Sequence, residues 1–109
     1  MSTASDAVFR SLRLVPKGRV VTYGQLASAS GIKSARAVGR ILHNNPNIET
    51  NPCHRVVFAD GSLSESFAFG GFEAQYELLR SEGVFFSKNK VDLKISGYHF
   101  REVDGSPLS

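Results

Sequence analysis

Residues 22–43 read TYGQLASASGIKSARAVGRILH, and the fold turns on how they are parsed. Thr22 and Gln25 stand three apart, the spacing of a capping box in which each side chain satisfies the other's orphan backbone N–H. A short helix is therefore predicted from Tyr23 to about Ser28, with Leu26 and Ala27 turned inward. Ser30-Gly31-Ile32 breaks it. A second helix is predicted from Ser34 to about His43, packing Ala37 or Val38, Ile41 and Leu42. Helix, glycine-containing turn, helix is a helix-turn-helix pattern. Its second helix carries Lys33, Arg36 and Arg40 on one face, by their three- and four-residue spacing, among the small residues Ser34, Ala35, Ala37 and Gly39. Two readings fit that face. It is either the solvated side of an amphipathic surface helix or a small, basic face that can approach nucleic acid closely. The helix and turn before it favour the second.

Outward from this pair, a first helix is expected from Ser5 to about Val15, where Val8 or Phe9, Leu12 and Val15 recur with helical spacing and Pro16 stops the run. Arg19-Val20-Val21 allows only a short strand. After the second helix comes the polar loop HNNPNIETNP, then HRVVF as a strand and ADG as a turn. SLSESFAFGG reads as an irregular loop closed by glycines. Phe72 to Glu82 is expected to be helical, with Phe72, Tyr76 and Leu79 on one side and Gly83 at its end. VFFS and VDLKI flank KNK and suggest a hairpin. The expected fold class is α+β: a small winged helix-turn-helix domain over residues 1–100, with a short β-hairpin and an irregular loop. The polar stretch 101–109 is expected to be a tail without fixed structure.

The chain has 109 residues, enough for one modest core, and its 41% apolar and 21% charged residues suit a soluble globular protein. No apolar run approaches the roughly 20 residues that cross a bilayer, so no membrane association is expected. The N-terminus lacks the pattern of a secretory signal, and a single cysteine excludes an internal disulfide. An intracellular location is expected. The net charge of +3 is unevenly spread. Through Phe58, eight basic residues face only Asp6 and Glu49; beyond it, acidic residues outnumber basic ones. A basic half suggests an anionic partner, nucleic acid first, or simply a solvated surface.

The single cysteine lies in NPCHRVV at 51–57. A lone Cys is commonly a small buried hydrophobe. A reactive one needs an environment that favours the thiolate, and His54, Arg55 and the basic helix offer positive potential, so a thiol pKa below the free value of about 8.5 is expected if Cys53 is a nucleophile. Neighbours on an extended strand point to opposite faces, so His54 reaches Cys53 only if the backbone bends or a water bridges them. Glu82 is a candidate to orient His54 if the fold returns it. Taken alone, a Cys-His pair suggests a thiol hydrolase as readily as anything else. His43, His54 and His99 show no ligand-pair spacing, and no glycine-rich phosphate loop precedes a helix, so neither a metal nor another cofactor is expected.

These stretches together resemble the DNA-binding and active-site domain of the O6-alkylguanine-DNA alkyltransferases, the methylated-DNA–protein-cysteine methyltransferases. PCHRVV at 52–57 is similar to the family's active-site signature, and VTYGQLA at 21–27, RAVGR at 36–40, NNPN at 44–47 and the closing VDLKISGYHF resemble its other motifs in order and spacing. The likeness runs from about Phe9 to Phe100. It implies that Cys53 accepts the alkyl group and that His54 and Glu82 draw off the thiol proton through a water. Asn45 would tie the active-site turn to the helix-turn-helix. Arg36 would fill the gap left by a flipped base, while Lys33, Ser34, Ala35 and Arg40 contact DNA beside it. Tyr23 would crowd the flipped nucleotide's phosphate and protonate the base. The carbonyls of Cys53 and Val56 would read guanine, and Phe69, Gly70 and Gly71 would line the pocket.

The implied function is DNA repair: minor-groove binding of duplex DNA as a monomer, extrusion of O6-alkylguanine, and irreversible transfer of its alkyl group to Cys53. A non-catalytic lesion sensor that hands damage to a protein of another repair pathway is the alternative, as is a helix-turn-helix module with an inert thiol. The single-domain alkyltransferase-like relatives carry Trp where this chain has Cys53, which favours transfer. Asn51 stands where the family has an aliphatic residue, which predicts weaker packing behind the turn. SESFAFGG departs from the family's tyrosine-containing approach to Gly-Gly.

Overall fold

Each of the first three helices begins where the sequence supplies a cap. In the computed structural model, which describes residues 3–65 and 67–100, Thr3 and Asp6 form a capping box at the head of α1 (Ala4–Leu12). The predicted box of Thr22 and Gln25 opens α2 (Tyr23–Ser30), its reciprocal bonds 3.1 and 2.8 Å long. Gly31 ends α2 in the left-handed region at φ +72°, where a side chain would be strained. Ser34 is the cap of α3 (Ala35–His43) rather than its first residue, its hydroxyl accepting the N–H groups of Arg36 and Ala37. α1 stops short of the expected Val15. The residue before a proline avoids the helical region, and the Leu14 and Val15 N–H groups bond three residues back instead. Val15 stays buried all the same.

These helices share one core. Val8, Leu12 and Val15 meet Leu26 and Ala27 of α2, Val38 and Leu42 of α3, and Val21, Cys53, Val56, Phe67 and Phe100. Two short strands, β1 (Val21–Thr22) and β2 (Val56–Val57), lie parallel across it with Val21 opposite Val56. The expected strand from His54 to Phe58 is thus mostly absent: Cys53–Arg55 forms a single 3-10 turn before β2. A second core of Val20, Val57, Leu63, Leu79, Val84 and Val91 joins β2 to the C-terminal elements.

Those elements are α4 (Gly71–Ser81), the hairpin β3 (Phe86–Ser87) and β4 (Lys90–Val91), and the short helix α5 (Leu93–Ser96). Lys88 and Asn89 turn the hairpin at φ +53° and +68°, as a two-residue type I′ loop requires. Leu93–Ser96, expected as strand, coils because Asp92 Oδ1 accepts the N–H groups of Lys94 and Ile95 and caps a helical turn. The architecture is mixed, helices with two small sheets. The expected tail at 101–109 falls outside the described residues.

The inward face of α4 also differs from expectation. Phe72 is exposed, while Gln75 and Leu79, four apart, are the residues fully buried. Gln75 is a polar rivet: its Nε2 donates to the carbonyls of His54 (3.0 Å) and Val56 (2.9 Å), and its Oε1 accepts from the Ser64 N–H (3.0 Å). It fastens α4 to the turn after Pro52. Replacing it with leucine keeps the volume but strands a buried donor. Gln75→Leu should therefore lose about 1–3 kcal/mol of stability in urea denaturation; an unchanged midpoint would mean these bonds contribute nothing net.

Candidate functional site

Cys53 opens the 3-10 turn. Its N–H donates to Asn51 O at 2.7 Å, Arg55 N–H to Pro52 O at 3.0 Å, and Val56 N–H back to Cys53 O. This is the bend that adjacency of Cys53 and His54 demands. Thiol and imidazole nevertheless make no direct hydrogen bond: His54 Nδ1 is buried and has no partner among the described residues. The other ring nitrogen is engaged, with His54 Nε2 2.9 Å from Glu82 Oε2. A carboxylate can only accept, so Nε2 carries the proton and Nδ1 keeps its lone pair.

Glu82, at the C-cap of α4, is returned by the fold to the turn, where it meets His54. It also takes a bidentate grip from Arg55, Nε to Oε1 at 3.0 Å and Nη2 to Oε2 at 2.9 Å. Arg55 Nη1 donates to the Val15 carbonyl at 3.0 Å, tying α1 to the same cluster. Burial works to raise the Glu82 pKa, but the hydrogen bonds from Arg55 and His54 outweigh it and hold the carboxyl below its usual range. Burial pushes His54 below its ordinary value, and its bond to Glu82 only partly offsets this. The imidazole is neutral near pH 7.

The thiol departs from expectation. Cys53 is only 5% exposed, and burial raises its pKa above the ordinary value although Asn45 opposes the shift. Nearby positive charge was expected to dominate; exclusion from water does. Cys53 is both a core residue and a wall of a cavity of about 690 Å³. The placement fits the reading of a lone cysteine as a small buried hydrophobe and also sets the residue on a cavity wall.

The cavity gathers much of the predicted site. α3 contributes Ala35, Arg36, Gly39 and Arg40, α2 contributes Tyr23, and the chain beyond β2 contributes Phe58, Ser64 and Phe67. Tyr23 stacks on Phe58 with ring centres 5.2 Å apart. Burial raises its pKa, against a hydrogen bond from Ser64, so it holds its proton. Lys33 and Ser34 lie at the entry to α3 and do not wall the cavity, and Ser34 is spent on the helix cap. Phe69, Gly70 and Gly71 also stand off it; Phe67 and Ala68 take that wall, and Phe69 packs on Phe67 with centroids 5.9 Å apart. Val56 is buried in the core, and its carbonyl already accepts from Gln75, leaving one lone pair.

Asn45 is buried behind the turn. Its Nδ2 donates to Asn51 O at 2.7 Å and its Oδ1 accepts from Asn47 N–H and Asn51 Nδ2. Asn51 therefore does not loosen the packing; it is buried and fully bonded. Sequence reasoning missed Arg55 as the partner of Glu82, Gln75, and Phe58. Arg55 and Glu82 are 27 residues apart, and no local pattern reports such a pair. Among the described residues, no group of three or more His, Cys, Asp or Glu is placed to hold a metal.

Comparison with known proteins bears on this arrangement. The Cricetulus griseus methylated-DNA–protein-cysteine methyltransferase is 34% identical over 99% of this chain and 52% of its own length. The curated relatives extend further than this chain, which spans between 32% and 55% of the length of those it matches. The Mycobacterium tuberculosis OGT solved in complex with DNA superposes with a TM-score of 0.65 at 32% identity, over 76% of this chain and 51% of that one. S. pombe Atl1, solved with damaged DNA containing O6-carboxymethylguanine, shares the fold: TM-score 0.67, 24% identity, 99% of this chain and 91% of that one. Residues 3–84, which hold α1 through Glu82 and with them the thiol, its histidine and the α3 face, match the DNA-binding domain of 6-O-methylguanine DNA methyltransferase, and the chain belongs to that family.

Proposed function

We propose that this chain binds duplex DNA through a winged helix-turn-helix, sets α3 in the minor groove, extrudes O6-alkylguanine and takes its alkyl group onto Cys53. The observation that carries the reading is that one cavity holds the thiol of Cys53 opposite the basic face of α3, with a neutral His54 held by Glu82 behind it. The sequence likeness to DNA methyltransferases and the DNA complex of a relative support it.

In this reading Arg36 enters the stack where the base leaves it, and Arg40 and the N-terminal turn of α3 meet the backbone. The thiol proton passes through a bridging water to the lone pair of His54 Nδ1, and the imidazolium so formed rests against Glu82. The thiolate attacks the alkyl carbon, a C–S bond forms and the C–O6 bond breaks. The electron pair goes to the base, which Tyr23 protonates. Free carbonyl lone pairs on Cys53 and Val56 accept the guanine amine. A thioether resists water, so one chain serves one turnover. Intact mass after incubation with excess O6-methylguanine duplex should rise by a single methyl, mapped to Cys53, and then stay constant. An unmodified chain that retains the lesion would instead make it a sensor, and repeated turnover a hydrolase.

Arg36 acts in this scheme only where a base must be replaced in the duplex. Arg36→Ala should slow transfer from a lesion duplex at least about tenfold. Transfer from free O6-benzylguanine should change little. Equal losses on both substrates would assign Arg36 to the fold or the thiol.

Folding stability should carry the signature of the same groups. His54 and Glu82 have folded pKa values below their unfolded ones, so their contributions are full above the unfolded values, about 6.5 and 4.3, and are lost as pH falls. Cys53 is raised, so its contribution is full below about 8.5 and is lost as pH climbs through the folded value. Stability should plateau between about pH 6.5 and 8.5. Urea midpoints across pH should fall on both sides of that window; a Cys53→Ser variant should lose the alkaline fall that sets in near about pH 8.5 and keep the one above about pH 10 from Tyr23, and a parent without the earlier fall would contradict the raised thiol.

A further inference from the structure

Asn51 has a bonding pattern that the transfer scheme leaves unused. It is 5% exposed, yet every polar group it carries is engaged. Its N–H donates to Asn47 O at 2.9 Å, and its carbonyl accepts from Cys53 N–H and Asn45 Nδ2, both at 2.7 Å. Its side chain spans two partners: Oδ1 accepts from Arg13 Nε at 2.9 Å, and Nδ2 donates to Asn45 Oδ1 at 3.2 Å.

The orientation of both amides follows from their partners. A guanidinium only donates, so Asn51 must turn its oxygen to Arg13. The Asn51 carbonyl only accepts, so Asn45 must turn its nitrogen to the turn. Asn45 also opposes the rise that burial imposes on the Cys53 thiol pKa. The side-chain donors thus run from Arg13 to Asn51 and from Asn51 to Asn45, and Asn45 in turn donates to the Asn51 carbonyl, which also holds the Cys53 N–H. A cation stands at one end and the active-site turn at the other. Hydrogen bonds in such a file polarise one another, and a donor at a thiolate favours the charged form.

We propose that Arg13 and Asn51 are positioning residues for the Cys53 nucleophile: with Asn45 they form a hydrogen-bonded file, joined to the Cys53 N–H through the Asn51 carbonyl, that fixes the active-site turn and favours the thiolate independently of His54 and Glu82. The inference rests on the reading of Cys53 as the reacting group. It gives the buried thiol a counterweight to its exclusion from water. Other charged and titratable groups line the same cavity or neighbour the turn: Tyr23 of α2, Arg36, Arg40 and His43 of α3, and His54, with Arg55 and Glu82 behind it. Among the described residues none of these hydrogen-bonds Asn51, so changes in the file leave them in place.

The test uses the full chain with Arg13→Met, Arg13→Lys and Asn51→Leu, read by thiolate ultraviolet absorbance and by iodoacetamide alkylation across pH. Arg13→Met and Asn51→Leu should each move the thiol titration upward by roughly half a unit to one unit, slowing alkylation at pH 7 about three- to tenfold. Arg13→Lys, which keeps a charged donor, should recover most of the parent's profile. Titration and rate unchanged in both variants would overturn the proposal and leave a purely structural network. Arg13 is exposed at the end of α1, so Arg13→Met alone decides the matter if Asn51→Leu does not fold. Shifted thiols in variants of a parent that takes no methyl from lesion DNA would uphold the file and overturn the transfer reading.

Discussion

Everything around the cysteine depends on where the Glu82 carboxylate is held. It sits at the end of α4 and receives three donors, two from Arg55 and one from His54. Through Arg55 the same cluster reaches the Val15 carbonyl beyond α1. A partly buried carboxylate with one donor would be costly to ionise; with a bidentate guanidinium and an imidazole it stays charged. That charge in turn fixes the imidazole tautomer. Without Arg55, Glu82 would lose the partner that compensates its burial, and His54 would lose its orientation. Arg55 thus holds the carboxylate that decides which His54 nitrogen keeps its lone pair.

The thiol shows how competing terms are resolved by placement. Positive residues near Cys53 suggested a thiol lowered by the field, but a sulfur packed with Val56 and Phe67 loses more from desolvation than it gains at that distance. What remains are short-range polar groups: the Asn45 amide, which opposes the rise, and the acceptor lone pair of His54 Nδ1 on the neighbouring residue. Burial and short-range bonds, not a diffuse field, thus set the protonation of this thiol.

Much of this was legible in the sequence, and the parts that were not have a common cause. Capping at Thr22 and Gln25, the basic face of α3 and the Cys-His pair are written in residues within four positions of one another. The C-terminal region was harder. Leu93–Ser96 alternates like a strand but obeys Asp92, whose side chain offers a competing local bond. Phe72 was expected inward because it shares a side of the helix with Tyr76 and Leu79, yet the face of α4 was chosen by the polar Gln75, whose three backbone partners lie 11 to 21 residues away. Asn51 was read as a defect for the same reason. Its value lies in Arg13, 38 positions distant, and no periodicity announces that.

Those separations govern when the site comes into being. The contacts that arm it join residues 28, 38 and 40 positions apart, while each helix closes on local bonds alone. Bonds that span long loops bear the entropy of closing them, and that entropy is recovered only as the cores of the domain consolidate. Helices can therefore appear early in folding, but a thiol flanked by an oriented imidazole and a complete amide file arises only in the last cooperative step. A nascent or partly unfolded chain carries the cysteine without its partners. Assembly of the fold is thus the event that brings the thiol together with its partners.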